Sequence, residues 1–308
     1  MHVRRLLAWL LLALLPGAVQ AQGADADIIR VWGSSFAGRS SIAGNPKEDT
    51  QSVVASIVGV TLGADTQLKD GSLLGLSVGR SRQTFSSGTG AGFGRSDDVT
   101  ITAYARQPLW GAAYIAEALG FGWHKVGTHR TVTVLDTDIL EAEFDAHDVG
   151  GRLEGGYNFQ LPRRGVLSPF GAIVGDSYAQ PAYGEYAIAG RDTYAVTYAA
   201  NTIGTSHVEL GARYYDAFAL DPGILNLDVV LAWQHDLNNN PLVIAQFQTL
   251  PGTNFVLRGT SPSIETLLFG LGARLQVGDR LTFGARADTR LGARTTIISG
   301  SLDFTYRW

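Results

Sequence analysis

The sequence contains no cysteine, which excludes a disulfide framework, a thiolate metal site and a thiol nucleophile. Methionine occurs once, and lysine only at Lys47, Lys69 and Lys125. After residue 15 no run approaches the ~18–20 apolar residues that a membrane-spanning helix needs. Acidic residues outnumber basic ones, 28 to 24, and no basic stripe marks a nucleic-acid surface. What is abundant is glycine, at 38, with 11 Tyr, 13 Phe and 6 Trp. Glycine and aromatics without helical stripes point to an all-β chain.

At the start, Arg4 and Arg5 precede an apolar run from Leu6 to Leu15, followed by Pro16 and by Val19-Gln20-Ala21 at the positions a signal peptidase reads. This predicts a secretory signal peptide over residues 1–21 and a mature chain beginning near Gln22. Loss of Arg4 and Arg5 leaves 22 basic residues against 28 acidic ones, a mildly acidic exported protein.

From Asp27 onward, twelve segments alternate apolar and polar residues with a period of two, the signature of half-buried strands. They run over 28–38, 52–67, 72–85, 97–108, 111–126, 143–161, 166–180, 206–219, 224–236, 263–277, 281–291 and 295–308. Tight turns fall at Lys69-Asp70-Gly71, Leu109-Trp110-Gly111, Pro162-Arg163-Arg164-Gly165, Asp221-Pro222-Gly223 and Gly278-Asp279-Arg280, each with the Gly, Pro or Asp that a reversal requires. Between them lie longer links at 39–51, 86–96, 127–142, 181–205 and 237–262, with only the last link, near Gly292-Ala293, short on that side. Long loops at one end and minimal turns at the other are the pattern of an outer-membrane barrel, and an even strand number puts both strand termini on the periplasmic side.

The two faces of the segments agree with this. Val99, Ile101, Ala103 and Ala105 oppose Thr100, Thr102, Tyr104 and Arg106. Val149, Leu153, Tyr157 and Phe159 oppose Asp148, Arg152, Glu154 and Asn158, and Leu227, Val229, Leu231 and Trp233 oppose Asn226, Asp228 and Gln234. Hydrocarbon offers no partner to an open sheet edge, so strands with such a face must close on themselves. The expected fold is an all-β, 12-stranded antiparallel transmembrane β-barrel over residues 28–308. One segment is less clean: within 112–123 Glu117 shares a parity with Ile115, Leu119 and Phe121, which a β-bulge, at no particular position, would repair.

Val31-Trp32-Gly33, the run SIVGVTLGADTQLKDGSLLGLSVGRSRQTF (56–85), Leu167-Ser168-Pro169-Phe170, ELGARY (209–214), LAWQHDL (231–237), NFVLRG (254–259) and LGARLQVGDRLTFGARADTRLG (271–292) together resemble the autotransporter β-domain, a twelve-stranded outer-membrane barrel. The resemblance covers nearly the whole mature chain. It implies residence in the outer membrane of a Gram-negative bacterium, among its lipids. It also implies that Phe304, Tyr306 and Trp308, in the closing FTYRW, form the C-terminal signal for the barrel assembly machinery. Members of that family normally carry a secreted passenger and a helix threading the barrel. Here Gln22 to Asp27 alone separate the predicted cleavage from the first strand, whereas a helix crossing ~30 Å needs about 20 residues. The family's self-cleaving asparagine pair has no counterpart before the barrel, and Asn238-Asn239-Asn240 reads as a surface turn. The expectation is a barrel without a passenger in cis.

Several motifs carry possible chemistry. GTGAGFGRS (88–96) has closely spaced glycines, yet a phosphate-binding loop needs a helix after it, and strands flank this one on both sides. The stretch 136–148 gathers Asp136, Asp138, Glu141, Glu143, Asp145, His147 and Asp148; it lacks the glycine and closing glutamate of a calcium-binding hand and reads as a solvated acidic loop. His147, His207 and His235 lie near carboxylates but on different strands and without a GxSxG elbow, so a barrel-embedded hydrolase is the weakest reading and no catalytic residue is assigned. No cofactor and no metal are expected.

The best-supported set is the charges on the inward parity: Arg106, Arg152, Glu154, Glu209, Arg213, Asp228, Arg274, Arg286, Asp288 and Arg307. Charges inside a barrel cost little where they meet water or one another. They suit either an ion-pair network that stiffens the barrel or the lining of a small conducting pore. The main functional expectation is a structural barrel whose loops, above all 181–205 and 237–262, contact surface ligands; a charge-lined channel is the alternative.

Overall fold

A computed structural model describes residues 29–308 except 49, 89–91, 135, 222 and 239–241. The predicted signal peptide, the segment 22–27, most of the Asn238-Asn239-Asn240 turn and the centre of the 88–96 glycine loop lie outside the described residues.

Twelve antiparallel strands form the wall: β1 (Ile29–Ile42), β2 (Val53–Gln67), β3 (Leu73–Ser87), β4 (Gly92–Pro108), β5 (Ala113–Val132), β6 (Asp138–Tyr157), β7 (Val166–Gln180), β8 (Asn201–Leu220), β9 (Gly223–Asn238), β10 (Glu265–Val277), β11 (Leu281–Gly292) and β12 (Thr295–Arg307). Each strand pairs with its sequence neighbours, and β1 pairs with β12 from Arg30↔Arg307 to Ile42↔Thr295, so the sheet closes and no wall strand keeps an edge. Trp308 donates its backbone N–H to the Ile29 carbonyl at 3.0 Å, bringing the first and last strands to the same end. Among the described residues the only helices are two short 3₁₀ turns.

Tight turns at the end shared by Ile29 and Arg307 follow local chemistry. In the β2–β3 turn Gly71 takes φ 84°, which a residue with a Cβ adopts only with strain. The Ser72 backbone N–H donates to the Asp70 carboxylate at 2.9 Å, and this hydrogen bond holds the Asp70 pKa below its ordinary value.

Alternation decides the two faces. On β2, Val58, Val60 and Leu62 are exposed outward while Ile57, Thr61 and Asp65 are buried inward. Glycine serves the inner face: a Cβ on Gly63 would meet the Trp32 ring at 2.4 Å, and one on Gly75 would meet the Tyr104 ring at 2.2 Å. Each aromatic from one strand thus lies flat over a glycine of the next, covering backbone that a side chain would leave no room for.

Three sequence expectations are corrected. No bulge occurs in 112–123: β5 runs in register against β4 and β6 throughout, and Glu117 points outward beside Leu119. It sits four residues from the strand's start at Ala113, near the rim of the apolar band, where a carboxylate costs far less than at mid-depth. Among the described residues the single register shift in the wall is between Ser206 and His207, in the pairing of β8 with β9. Next, several strands run past their expected ends. β4 starts at Gly92 and β6 at Asp138, while β5 reaches Val132, so most of the acidic stretch 136–148 is strand rather than loop. Above the apolar band the outward positions become Arg80, Arg82, Arg95, Asp97, Glu143 and Asp145, and the hydrogen-bond ladder continues without any apolar pattern to mark it. Finally, the links 181–205 and 237–262 are not simple loops. They contain the strands Tyr183–Gly184, Val196–Tyr198, Leu242–Phe247 and Asn254–Arg258, paired into a second, four-stranded sheet.

Candidate functional site

Two places in the barrel gather functional groups: the inner wall, and the small sheet at the long-loop end.

On the inner wall, Arg213 of β8 holds Glu154 of β6 with both guanidinium nitrogens, at 2.5 and 2.8 Å. Arg152 donates to Glu154 and to Glu209, each at 2.7 Å. Arg290 approaches Glu209 at 3.9 Å and His207 approaches it at 3.5 Å. Arg213 also stacks on Phe170 at 4.0 Å, and Arg106 stacks on the Tyr114 ring at 4.1 Å. The Tyr114 hydroxyl donates to Glu154 at 2.9 Å, which joins Arg106 to the same cluster. A second cluster centres on Asp228, which receives Arg286 at 2.5 Å and Arg274 at 3.4 Å, while Arg286 also donates to Asp288 at 2.8 Å. Room for it comes from β10: a Cβ on Gly272 would stand 2.2 Å from the Asp228 carboxylate.

Nine of the ten inward charges read from the sequence therefore fall into two clusters. Arg307 stays outside both and makes no ion pair among the described residues. Sequence reasoning missed a third polar knot. There Arg30 donates to Asp65 at 2.5 Å, the Tyr104 hydroxyl donates to Asp65 at 2.9 Å, and the Trp32 indole N–H donates to that hydroxyl at 2.8 Å. It also missed His124, whose Nδ1 lies 2.7 Å from Asp98 and whose Nε2 contacts Asp148. Inward parity on β2, β4 and β5 was the available signal.

The three histidines named in the sequence are not brought together. His207 is buried inside the barrel; His147 stacks on Phe121 on the outer face, and His235 pairs outside with Glu265 at 2.6 Å. Ser96 and Ser81 both donate to Asp98, at 2.5 and 3.4 Å. The acidic stretch divides between the faces: Asp138 and Asp148 turn inward, Glu141, Glu143 and Asp145 outward. Among the described residues no group of His and carboxylates has metal-site geometry.

The second sheet is pinned by one carboxylate. Glu185, buried, receives the Arg130 Nε at 3.0 Å, the Val196 backbone N–H at 3.0 Å and the Tyr198 hydroxyl at 3.3 Å. Its own carbonyl accepts from Gln248 at 2.7 Å, so both long links meet there. Phe144, Tyr183 and Tyr198 stack at 4.0 and 4.7 Å, and Leu140 on β6 with Ala195, Val243 and Ala245 in the two links are buried. Burial pushes the Tyr183 and Tyr198 phenols up, which keeps both hydroxyls protonated as donors. The other face of the sheet leaves Ile244 and Val256 exposed.

At the opposite end, Phe304 packs on Phe283 at 5.5 Å and Tyr306 meets Trp308 edge-on at 4.9 Å, with Phe304 and Trp308 exposed outward.

Comparison with known proteins matches this architecture. The autotransporter β-domain family model matches residues 31–288. The chain belongs to the autotransporter β-domain family. It is an outer-membrane β-barrel. No relative is found among curated proteins. Among solved structures, the translocator domain of the autotransporter NalP from Neisseria meningitidis superposes with a TM-score of 0.73 at 18% identity, covering 94% of this chain and 90% of that one. The β-domain of the Bordetella autotransporter BrkA gives 0.63 at 17%, covering 92% and 100%. The transport unit of AIDA-I from Escherichia coli gives 0.55 at 12%, covering 94% and 93%. At these identities the likeness concerns the fold. The Glu185-pinned sheet and the tight turns lie at opposite ends of the barrel, and in outer-membrane barrels generally the tight turns are the periplasmic ones.

Proposed function

We propose that this barrel is a structural outer-membrane protein that presents an ordered β-cap to the outside of the cell, and that the cap contacts ligands or surfaces there. The observation that carries this reading is the convergence of two long links, distant in sequence, on Glu185. Long loops left only to cover a barrel mouth need no shared core of their own, and this pair has one. The paired charges of the inner wall act as a scaffold in this reading: a guanidinium and a carboxylate held bidentate resist distortion of the wall. Phe304, Tyr306 and Trp308 serve as the signal for the assembly machinery, supported by the outward, exposed placement of Phe304 and Trp308 and the half-buried Tyr306 between them at the end of the closing strand. The barrel itself performs no catalysis.

A binding assay tests the cap. Cells producing the full chain are expected to adhere to immobilised extracellular matrix or to other cells above a barrel-free control. Replacing 243–257 with a short Gly-Ser turn is expected to return them to that control while the barrel still assembles. Equal adherence with and without the segment contradicts the proposal.

A channel is the second reading, favoured by the charges that line the wall between β4 and β12. Planar-bilayer recording separates the two: stepwise conductance supports a pore, and a silent bilayer loaded with folded protein removes it.

A further inference from the structure

The outer wall carries a feature used by neither the cap nor the inner charges. Ala287, Gly300, Ala37, Val58, Arg82 and Asp97 stand directly opposite one another on β11, β12, β1, β2, β3 and β4, forming one row across the strands. The row climbs. Ala287 lies six residues beyond Leu281, the tight-turn end of β11, whereas Arg82 lies nine beyond Leu73, the same end of β3. The three-residue difference is about 10 Å of strand. The row therefore leads from the middle of the apolar band to its outer rim. Its lower part is a shallow groove, because Ala37, Ala287 and Gly300, with Ser35, Ala273 and Ala285 below them, are all small.

At its upper end four guanidiniums share the outward face: Arg39 on β1, Arg80 and Arg82 on β3, and Arg95 on β4. Arg82 and Arg95 both donate to Asp97, at 2.8 and 2.5 Å, and their side chains remain 53% and 51% exposed. Arg39 and Arg80 are exposed and make no ion pair among the described residues. Nearby, Lys125 follows Asp97 in the row, and the outward acids Glu143 and Asp145 begin only on β6, three strands from Arg82. Four arginines thus face one carboxylate at the border between hydrocarbon and water. The guanidinium fork suits phosphate oxygens, and this border is the depth at which headgroup phosphates lie.

We propose that this face binds a phosphorylated lipid of the outer leaflet, its phosphates held by Arg39, Arg80, Arg82 and Arg95 and an acyl chain lying along the Ala37–Gly300–Ala287 groove. A free phosphate would need only the arginines; the groove continuing from them into the apolar band selects a lipid.

Native mass spectrometry of the full chain in detergent tests this, with bis-phosphorylated lipid A as the probe. Dephosphorylated lipid A and inorganic pyrophosphate are the comparators. The wild-type barrel is expected to retain lipid A after the detergent is stripped, and neither dephosphorylated lipid A nor pyrophosphate is expected to compete for it. In R80Q/R82Q/R95Q retention is expected to fall about tenfold or more, as loss of several charge-assisted contacts requires. The corresponding Lys triple variant keeps most of it, and heat-modifiable gel mobility shows that each variant is folded. Should the Gln triple variant not fold, R80Q alone, which removes no ion pair, is expected to lower retention measurably. Unchanged retention in the folded Gln variants, or equal retention of the dephosphorylated lipid, overturns the proposal. Displacement by pyrophosphate assigns the arginines to free phosphate and overturns it as well.

Discussion

Arg213 and Glu154 sit on β8 and β6 with β7 between them, and their side chains close that gap as a two-point ion pair at 2.5 and 2.8 Å. Because Arg152 shares the same carboxylate, Glu154 neutralises a buried cation and a half-exposed one at once. Glu154→Gln leaves Arg213 without an anion and Arg152 with Glu209 alone. Removing one partner of a fully buried pair costs about 3–5 kcal/mol; water at the half-exposed Arg213 reduces that penalty, and E154Q is expected to lower, by a smaller amount, the temperature at which the barrel loses its heat-modifiable mobility. An unchanged transition would show that water in the lumen already screens these charges.

Close packing of aromatics over glycines makes its own prediction. Gly75→Ala places a Cβ 2.2 Å from the Tyr104 ring, and overpacking of this kind costs about 1–3 kcal/mol. The double variant G75A/Y104A is expected to recover part of that loss, since the clash goes with the ring. Additive losses in the double variant would contradict the contact.

Glu117 offers a test on the outside of the wall. It stands among Leu119, Leu153 and Leu74 on the lipid side. Near the rim of a bilayer such a carboxylate costs up to about 1 kcal/mol. Glu117→Leu is expected to raise resistance to urea unfolding in phospholipid vesicles by that order. A loss of stability instead would mean that Glu117 has a partner in the membrane.

Glu185 separates the cap from the barrel energetically. Glu185→Ala strips the buried Val196 N–H of its acceptor and Arg130 of its counter-charge, a penalty of about 1–3 kcal/mol for each group left unsatisfied. The cap is expected to open and become sensitive to protease on intact cells within 181–200 and 242–258. Heat-modifiable mobility of the barrel should stay as in the wild type. If the barrel is lost too, the cap is part of its folding unit.

Much of the wall was legible because lipid imposes a rule on every other residue. Val58, Val60 and Leu62, or Val99 and Ile101, announce their strands by alternation alone, and glycine-bearing turns mark where each reverses. The rule lapses wherever the strand leaves lipid. Arg80, Arg82 and Arg95 continue the ladder outward with nothing apolar to reveal it, so on the long-loop side the strands outrun their alternation. Inward parity placed Arg152, Glu154, Glu209 and Arg213 on one face, yet it could not say which would meet, since Glu154 and Arg213 are 59 residues apart. The Trp32–Tyr104–Asp65 knot was hidden for the same reason. The cap was the least legible part. Its strands are two to six residues long, and Glu185 reaches an arginine 55 positions away.

Orientation of the barrel in the membrane tests the account most directly, and the absence of native cysteine makes it simple to measure. Single cysteines are placed at Val256 in the cap and at Asp279 in the β10–β11 turn, and intact cells are treated with a membrane-impermeant maleimide. The account predicts labelling at 256 on intact cells and at 279 only after the outer membrane is permeabilised. Labelling at 279 but not at 256 on intact cells, or recovery of the folded protein in the soluble fraction without detergent, would contradict it.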